Sequence, residues 1–316
     1  MSDESSMSAS VKKNSAKLGL ISAALAAVTF GASPLLISLI GAEVSPFALA
    51  GILSFGSSLL GVISLLREKN RKILVTSFSQ MRSHRYALLG LVVFGGVVAP
   101  IFLAMGIQRV SPVEVSIALN FELVATAVIA RFFFSEKISR RALFAILIIF
   151  VGVLVPVVFN SEGLHLSRDL LGIGFVLLAG VCWGFDNCFS RIVSHLSPEL
   201  SIIIKGVVGA VVNFLIAVSM GSVFIQPIKF FQLLLIGIIC YGLSLRLLLR
   251  AFQILGSARG IALFSLHPFF GVTLTSLVFA KLPRGAEVIG LLFSLVGAAQ
   301  ISRESVSEGS AVTTAT

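Results

Sequence analysis

Runs of about eighteen or more mostly apolar residues, separated by short polar stretches, recur along this chain. They begin near Leu18, Pro46, Tyr86, Val113, Ala142, Leu170, Pro198, Phe230, Gly260 and Ala286. At 1.5 Å per residue each run is long enough to cross a hydrocarbon core of roughly 30 Å as a helix. The runs are continuous rather than short and alternating, which predicts transmembrane helices and argues against a barrel. The polar gaps leave no room for a soluble domain. The longest, Arg67 to Arg85, is basic and serine-rich and is expected to anchor topology along an anionic leaflet.

The pattern is duplicated. Val28-Thr-Phe-Gly31, with Ser45-Pro46 downstream, returns about 150 residues later as Val181-Cys-Trp-Gly184 with Ser197-Pro198. Ile117-Ala-Leu119 recurs as Ile261-Ala-Leu263, and Lys137 with Arg140 as Lys281 with Arg284. Each copy holds five spans, an odd number, so the second enters the bilayer upside down. The expected fold is an all-α membrane protein of ten transmembrane helices in two inverted five-helix repeats, residues 18–159 and 170–303. A cytoplasmic tail, 1–17, precedes them and a disordered tail, 304–316, follows. Inverted repeats are an architecture of alternating-access carriers.

Composition agrees, with 57% hydrophobic and 12% charged residues and a mean hydropathy of +1.04. Lipid is the solvent for most of this chain. The net charge of +10 does not imply nucleic acid, because its distribution follows the loops. In the first half Lys12, Lys13 and Lys17, then Arg67, Lys69, Arg71, Lys72, Arg82 and Arg85, then Lys137, Arg140 and Arg141 fall in alternate loops. This places the amino terminus in the cytoplasm, and ten spans return the carboxyl terminus to that side of the inner membrane. In the second half Lys229, Lys281 and Arg284 face outward against Arg191, Arg259 and Arg303 inside. Met1 to Ser10 is polar, so no cleavable signal peptide is expected. Cys182, Cys188 and Cys240 lie within spans without C-x-x-C spacing and are expected to be buried apolar residues; no metal or cofactor is implied.

Particular motifs narrow the reading. Phe30-Gly-Ala-Ser33 before Pro34, Ala50-Gly51, Gly56-Ser57, Leu119-Asn-Phe-Glu122 and Glu136 stand in the first half. Trp183-Gly-Phe-Asp-Asn187 with Arg191, Lys205-Gly206, Tyr241-Gly-Leu-Ser244, Ala258-Arg259 and Pro268 stand in the second. In these features, from Leu18 to Arg303, the chain resembles the EamA family of the drug/metabolite transporter superfamily. The resemblance implies a ten-helix inverted-repeat carrier of small metabolites, often working outward. The chain departs from that pattern where relatives commonly carry a lysine after the first-span proline; here stand Leu35, Leu36, Ile37 and Ser38. Arg246 and Arg250 replace apolar residues, and Ala280 replaces the second-half counterpart of Glu136.

Function is sought among polar groups inside the membrane, where each ionised side chain costs about 2.5–3.5 kcal/mol unless paired or wet. Glu122, Arg246 and His267 lie roughly 14–20 Å from the inner ends of their helices, near the midplane. Glu122 is expected to pair with Arg246, to exchange protons, or to form a static ion pair. His267 precedes Pro268 at a predicted kink and titrates near neutral pH, so it is a packing residue or a proton site. Asp186 and Lys205, at equal depth on consecutive helices, suggest a structural or gating pair. Trp183, Asn187 and Asn120 are candidates to orient a polar ligand. Arg191, Arg250 and Arg259 are placed at the cytoplasmic mouth, where with Arg246 they would favour an anionic or zwitterionic solute. No H-E-x-x-H, G-x-S-x-G or phosphate loop occurs, so a secondary transporter is favoured over an intramembrane enzyme or a channel, with proton coupling and oligomeric state left open.

Overall fold

In the computed structural model, which describes residues 2–67, 83–133, 140–160, 166–193, 198–222, 225–255 and 257–313, every regular element is helical. Glu136, Lys137, Ser197 and the basic stretch after Arg67 lie outside the described residues. The first half comprises α1 (Ser2–Gly31), α2 (Ser33–Ile40), α3 (Pro46–Arg67), α4 (Arg85–Gly90), α5 (Ala99–Ile107), α6 (Pro112–Leu119), α7 (Phe121–Phe133) and α8 (Arg140–Asn160). The second comprises α9 (Leu166–Val193), α10 (Pro198–Ser219), α11 (Pro227–Ile236), α12 (Ser244–Leu255), α13 (Ser257–Phe264), α14 (His267–Phe279) and α15 (Gly285–Thr313). Helices keep their backbone bonds within one segment, the form that lipid permits.

Among the described residues seven helical stretches are long and apolar enough to cross a membrane: Ala16–Ile40, Pro46–Leu66, Arg85–Ile107, Pro112–Phe133, Leu170–Ser190, Glu199–Ser219 and Pro227–Leu255. Three apolar helices are shorter, Leu143–Pro156, His267–Phe279 and Gly285–Gln300, where sequence suggested the fifth, ninth and tenth spans. By length and composition, seven of the ten runs thus qualify as spans among the described residues. The ninth run is split by a turn at Ser265 and Leu266, because Pro268 brings no N–H and suits the start of a new helix. The tenth loses its apolar character after Gln300, although α15 runs on to Thr313. At the other end α1 begins at Ser2; adding residues to an existing helix costs far less than nucleating one.

Glycine contacts set the direction of each helix. Gly51 packs on Phe214 and Gly61 on Ile203, so α3 and α10 are antiparallel. Gly152 meets Gly290 and Ala145 meets Gly297, making α8 and α15 antiparallel. Gly90 meets Phe189 and Gly106 meets Val176, so the third rod opposes α9. Gly180 meets Glu122 and Gly184 meets Ala125, which makes α9 parallel to α7. Close approach through small residues is how helices associate when lipid supplies no hydrophobic drive.

The irregularities are also duplicated. A π-helical segment, Leu91–Val98, joins α4 to α5, and a second, Gly237–Leu243, joins α11 to α12. π-turns of this kind are rare and favour functional sites. Each carries glycines against another backbone, Gly96 on Lys205 and Gly237 on Leu53. The two segments face the middle of the bundle.

Candidate functional site

A cavity of about 120 Å³ lies between the halves, with wall residues from α1, α3, α5, α7, α9, α10, α12, α13 and both π segments. Helical periodicity selects those residues. Trp183, Asp186 and Asn187 share one face of α9, and Tyr241, Ser244, Leu245 and Leu248 one face of the second π segment and α12, the spacing of i, i+3, i+4 and i+7.

One wall carries charge. Lys205 Nζ donates to Asp186 Oδ2 at 2.7 Å, with the two side chains 18% and 6% exposed. Gly95 lies against the Asp186 carboxylate and Gly96 against the Lys205 backbone, positions where a larger residue would collide. Beside the pair, Asn187 Nδ2 donates to Glu122 Oε1 at 2.7 Å and to Thr126 Oγ1 at 3.2 Å. Thr126 Oγ1 in turn donates to the Glu122 carbonyl at 2.8 Å. The glycine contacts at Gly180 and Gly184 bring α9 close enough to α7 for Asn187 to reach. Asp186 and Lys205 are the charged groups neighbouring Glu122, and Lys205 is already engaged by Asp186.

Aromatic rings complete the lining. The Phe30 ring stands 6.0 Å from Trp183, 5.9 Å from Tyr241 and 5.3 Å from Phe264 by centroid. Phe30 and Trp183 occupy equivalent positions in the two copies of the V-x-[FW]-G motif. That equivalence was the available signal for Phe30, which residue-by-residue chemistry passed over, as it did Phe264 and the hydroxyls of Ser54 and Ser57.

Of the residues singled out by sequence, Glu122, Trp183, Asp186, Asn187 and Lys205 meet here, and others do not. Arg246 faces a separate crevice with Glu199 and Gly242, so the Glu122–Arg246 pair is replaced by Glu122–Asn187. Gly242 and Arg246, four residues apart, share a face turned away from that of Tyr241 and Leu245. His267 is 3% exposed and lies behind Phe30, its ring edge-on at 5.0 Å, outside the cavity wall. Asn120 is fully buried and donates to Ser294 Oγ on α15 at 2.9 Å, a packing contact. Arg250 is exposed, and the side chains of Arg191 and Arg259 lie outside the described residues. The arginine set that suggested an anionic solute thus contributes no described group to the cavity. Among the described residues no three His, Cys, Asp or Glu side chains are grouped to hold a metal.

The loops at one end are tied together. Gln108 Nε2 donates to the carbonyls of Gly41 and Val44 at 3.2 and 2.7 Å, and Lys229 pairs with Glu43. That contact holds the exposed Glu43 carboxyl below its usual range. Asp186, Lys205, Leu248 and Phe264 each sit seven residues from the opposite helix ends at Val193, Pro198, Leu255 and Ser257, about 10 Å. The cavity therefore reaches toward the end away from the tied loops.

A family model described as the EamA-like transporter family matches residues 17–158 and 170–303. A Clostridium kluyveri protein described as an uncharacterized transporter is 24% identical over 197 residues, 55% of this chain and 58% of that protein. The match thus spans a little over half of that relative's length. A solved structure, described only as that of a protein, aligns with a TM-score of 0.62 at 15% identity, covering 92% of this chain and 97% of the other. That likeness is one of fold.

Proposed function

The chain belongs to the EamA-like transporter family of the drug/metabolite transporter superfamily, and from that premise we propose that it is a secondary carrier. It moves a small solute across the cytoplasmic membrane by alternating access, as exporter or exchanger, without enzymatic chemistry.

The observation that carries this reading is the antiparallel packing of counterpart helices, α3 with α10 and α8 with α15, in a bundle whose halves meet at a cavity lined by charged, polar and aromatic side chains. Two copies of one bundle with opposed directions are interconvertible by rocking, which exchanges the closed end for the open one. Helix directions also favour ten crossings over seven. Since α7 and α9 run parallel, the chain between them must return through the thickness of the bundle, and α8 is the segment available. Because α15 opposes α8, it runs with α9; α12 opposes α1 through Gly19 on Leu255 and the Ser244 Oγ to Ala26 carbonyl bond of 2.9 Å. In this reading both termini are cytoplasmic and the tied loops form the outer closure. Glu122 is the proton-coupling group.

Counterflow in proteoliposomes tests the carrier: saturable, trans-stimulated uptake supports it, and linear flux without countertransport refutes it. Reporter fusions at each terminus test the crossings. Ten spans put both reporters on the same side; seven put them on opposite sides. Under this scheme E122Q abolishes the pH dependence of exchange in a folded protein, and unchanged pH dependence removes the proton role.

A further inference from the structure

Counting the charges that face the cavity gives two carboxylates, Glu122 and Asp186, against one ammonium, Lys205. The ammonium is committed to Asp186 at 2.7 Å. Glu122 receives an amide hydrogen bond from Asn187 and, among the described residues, belongs to no ion pair. An ionised carboxylate withdrawn from water requires a compensating charge, and no described side chain is paired with it. The same cavity is lined by four aromatic side chains, Phe30, Trp183, Tyr241 and Phe264. Aromatic faces attract organic cations and also accept the apolar part of the same molecule. An apolar cavity of roughly 150 Å³ is known to hold benzene; one of about 120 Å³, open on one side, takes a comparably small ring or branched alkyl group.

We infer that the cavity selects a small organic monocation, an ammonium bearing a compact apolar group, with Glu122 as its counter-charge and the Phe30 cluster as its apolar seat. The inference rests on the carrier reading for its meaning but not for its test. The Lys205–Asp186 pair stays closed and sets the polarity of the wall. Glu122 then faces an ammonium that completes the charge balance. A solute carboxylate would meet two acids and a lysine already taken.

Trp183 is the chain's only tryptophan and lines the cavity, so its fluorescence reports occupancy directly. The purified full chain is titrated with benzylammonium, benzyl alcohol, benzoate and phenylglycine, which share a ring and differ in charge. The expected result is a saturable change with benzylammonium, at least roughly tenfold tighter than with the other three, the scale of a charge-assisted hydrogen bond. E122Q should erase the preference for benzylammonium over benzyl alcohol while keeping the alcohol's own binding. Benzoate or phenylglycine binding as tightly as benzylammonium overturns the inference in the wild-type protein, whatever becomes of the variant. A cation preference that survives in E122Q also overturns it. Charge-selective binding without countertransport of benzylammonium or any other solute would sink the carrier reading and leave this one standing; saturable countertransport with no cation preference would do the reverse.

Discussion

Replacing Lys205 should be more damaging than replacing Asp186, although the two form one ion pair. At 2.7 Å and with side chains 18% and 6% exposed, the pair is largely withdrawn from solvent. Removing one partner of a buried pair costs about 3–5 kcal/mol because the other charge is stranded. Lys205→Met strands two carboxylates, Asp186 and the neighbouring Glu122, and should incur that full cost. Asp186→Asn leaves Lys205 with Glu122 as a second acceptor, so its cost falls to about 1–3 kcal/mol, that of a lost buried hydrogen bond. The double variant Lys205→Met, Asp186→Leu leaves Glu122 as the one carboxylate of the three groups and should be more stable than Lys205→Met alone, a coupling of about 1–3 kcal/mol in a double-mutant cycle. At roughly 2–4 °C per kcal/mol for a chain of this size, thermal melting of the purified protein resolves these differences. Equal losses for the two single variants would refute the idea that Glu122 stands within reach of Lys205. Coupling under about 0.5 kcal/mol would refute the pair itself.

Asn120→Ala should lower stability by about 1–3 kcal/mol through its lost bond to Ser294 and leave the Trp183 fluorescence titration unchanged; altered ligand binding would return Asn120 to the site. Gly209→Ala would press a methyl group into the Gly96 carbonyl, an overpacking cost of about 1–3 kcal/mol, read as a lower melting temperature. A neutral effect would mean that α10 and the first π segment are farther apart than they stand here. At the tied loops, Lys229 holds the Glu43 carboxyl below its usual 4.5. A depressed carboxyl contributes fully above its unfolded value and less as pH falls through the folded one. Glu43→Gln should therefore be indistinguishable from wild type under strong acid and, the pair being exposed and screened by salt, show any difference near neutral pH at low salt. A difference that grows in acid would contradict the pairing.

Depth along the membrane was legible in the sequence; azimuth around each helix was harder. Counting residues from helix ends put Asp186 and Lys205 at one level, and they meet. The same counting put Arg246 and His267 near Glu122 in height but could not say which way they faced. For Asn120 the answer was present in principle. Two residues is a 200° rotation on an α-helix, so Asn120 and Glu122 look in nearly opposite directions, one to Ser294 and the other to Asn187. Helix breaks were less accessible, since the turn at Ser265 and Leu266 and the two π segments answer to contacts made by distant backbones.

Duplication explains both the success and the failure of reading the second half by the first. It aligned Phe30 with Trp183, and both rings line the cavity, because a backbone copied and inverted brings equivalent positions to a common axis. By the same offset Ser33 corresponds to Asp186, and by the Pro46–Pro198 offset Leu53 corresponds to Lys205, so the charged pair has no charged counterpart. Copying conserved the packing surfaces, where glycine must meet backbone, while the Asp186–Lys205 pair is confined to one copy. His267 shows the limit of such a reading: the break just before it starts a new helix, and its ring falls behind Phe30, outside the wall that Glu122 faces.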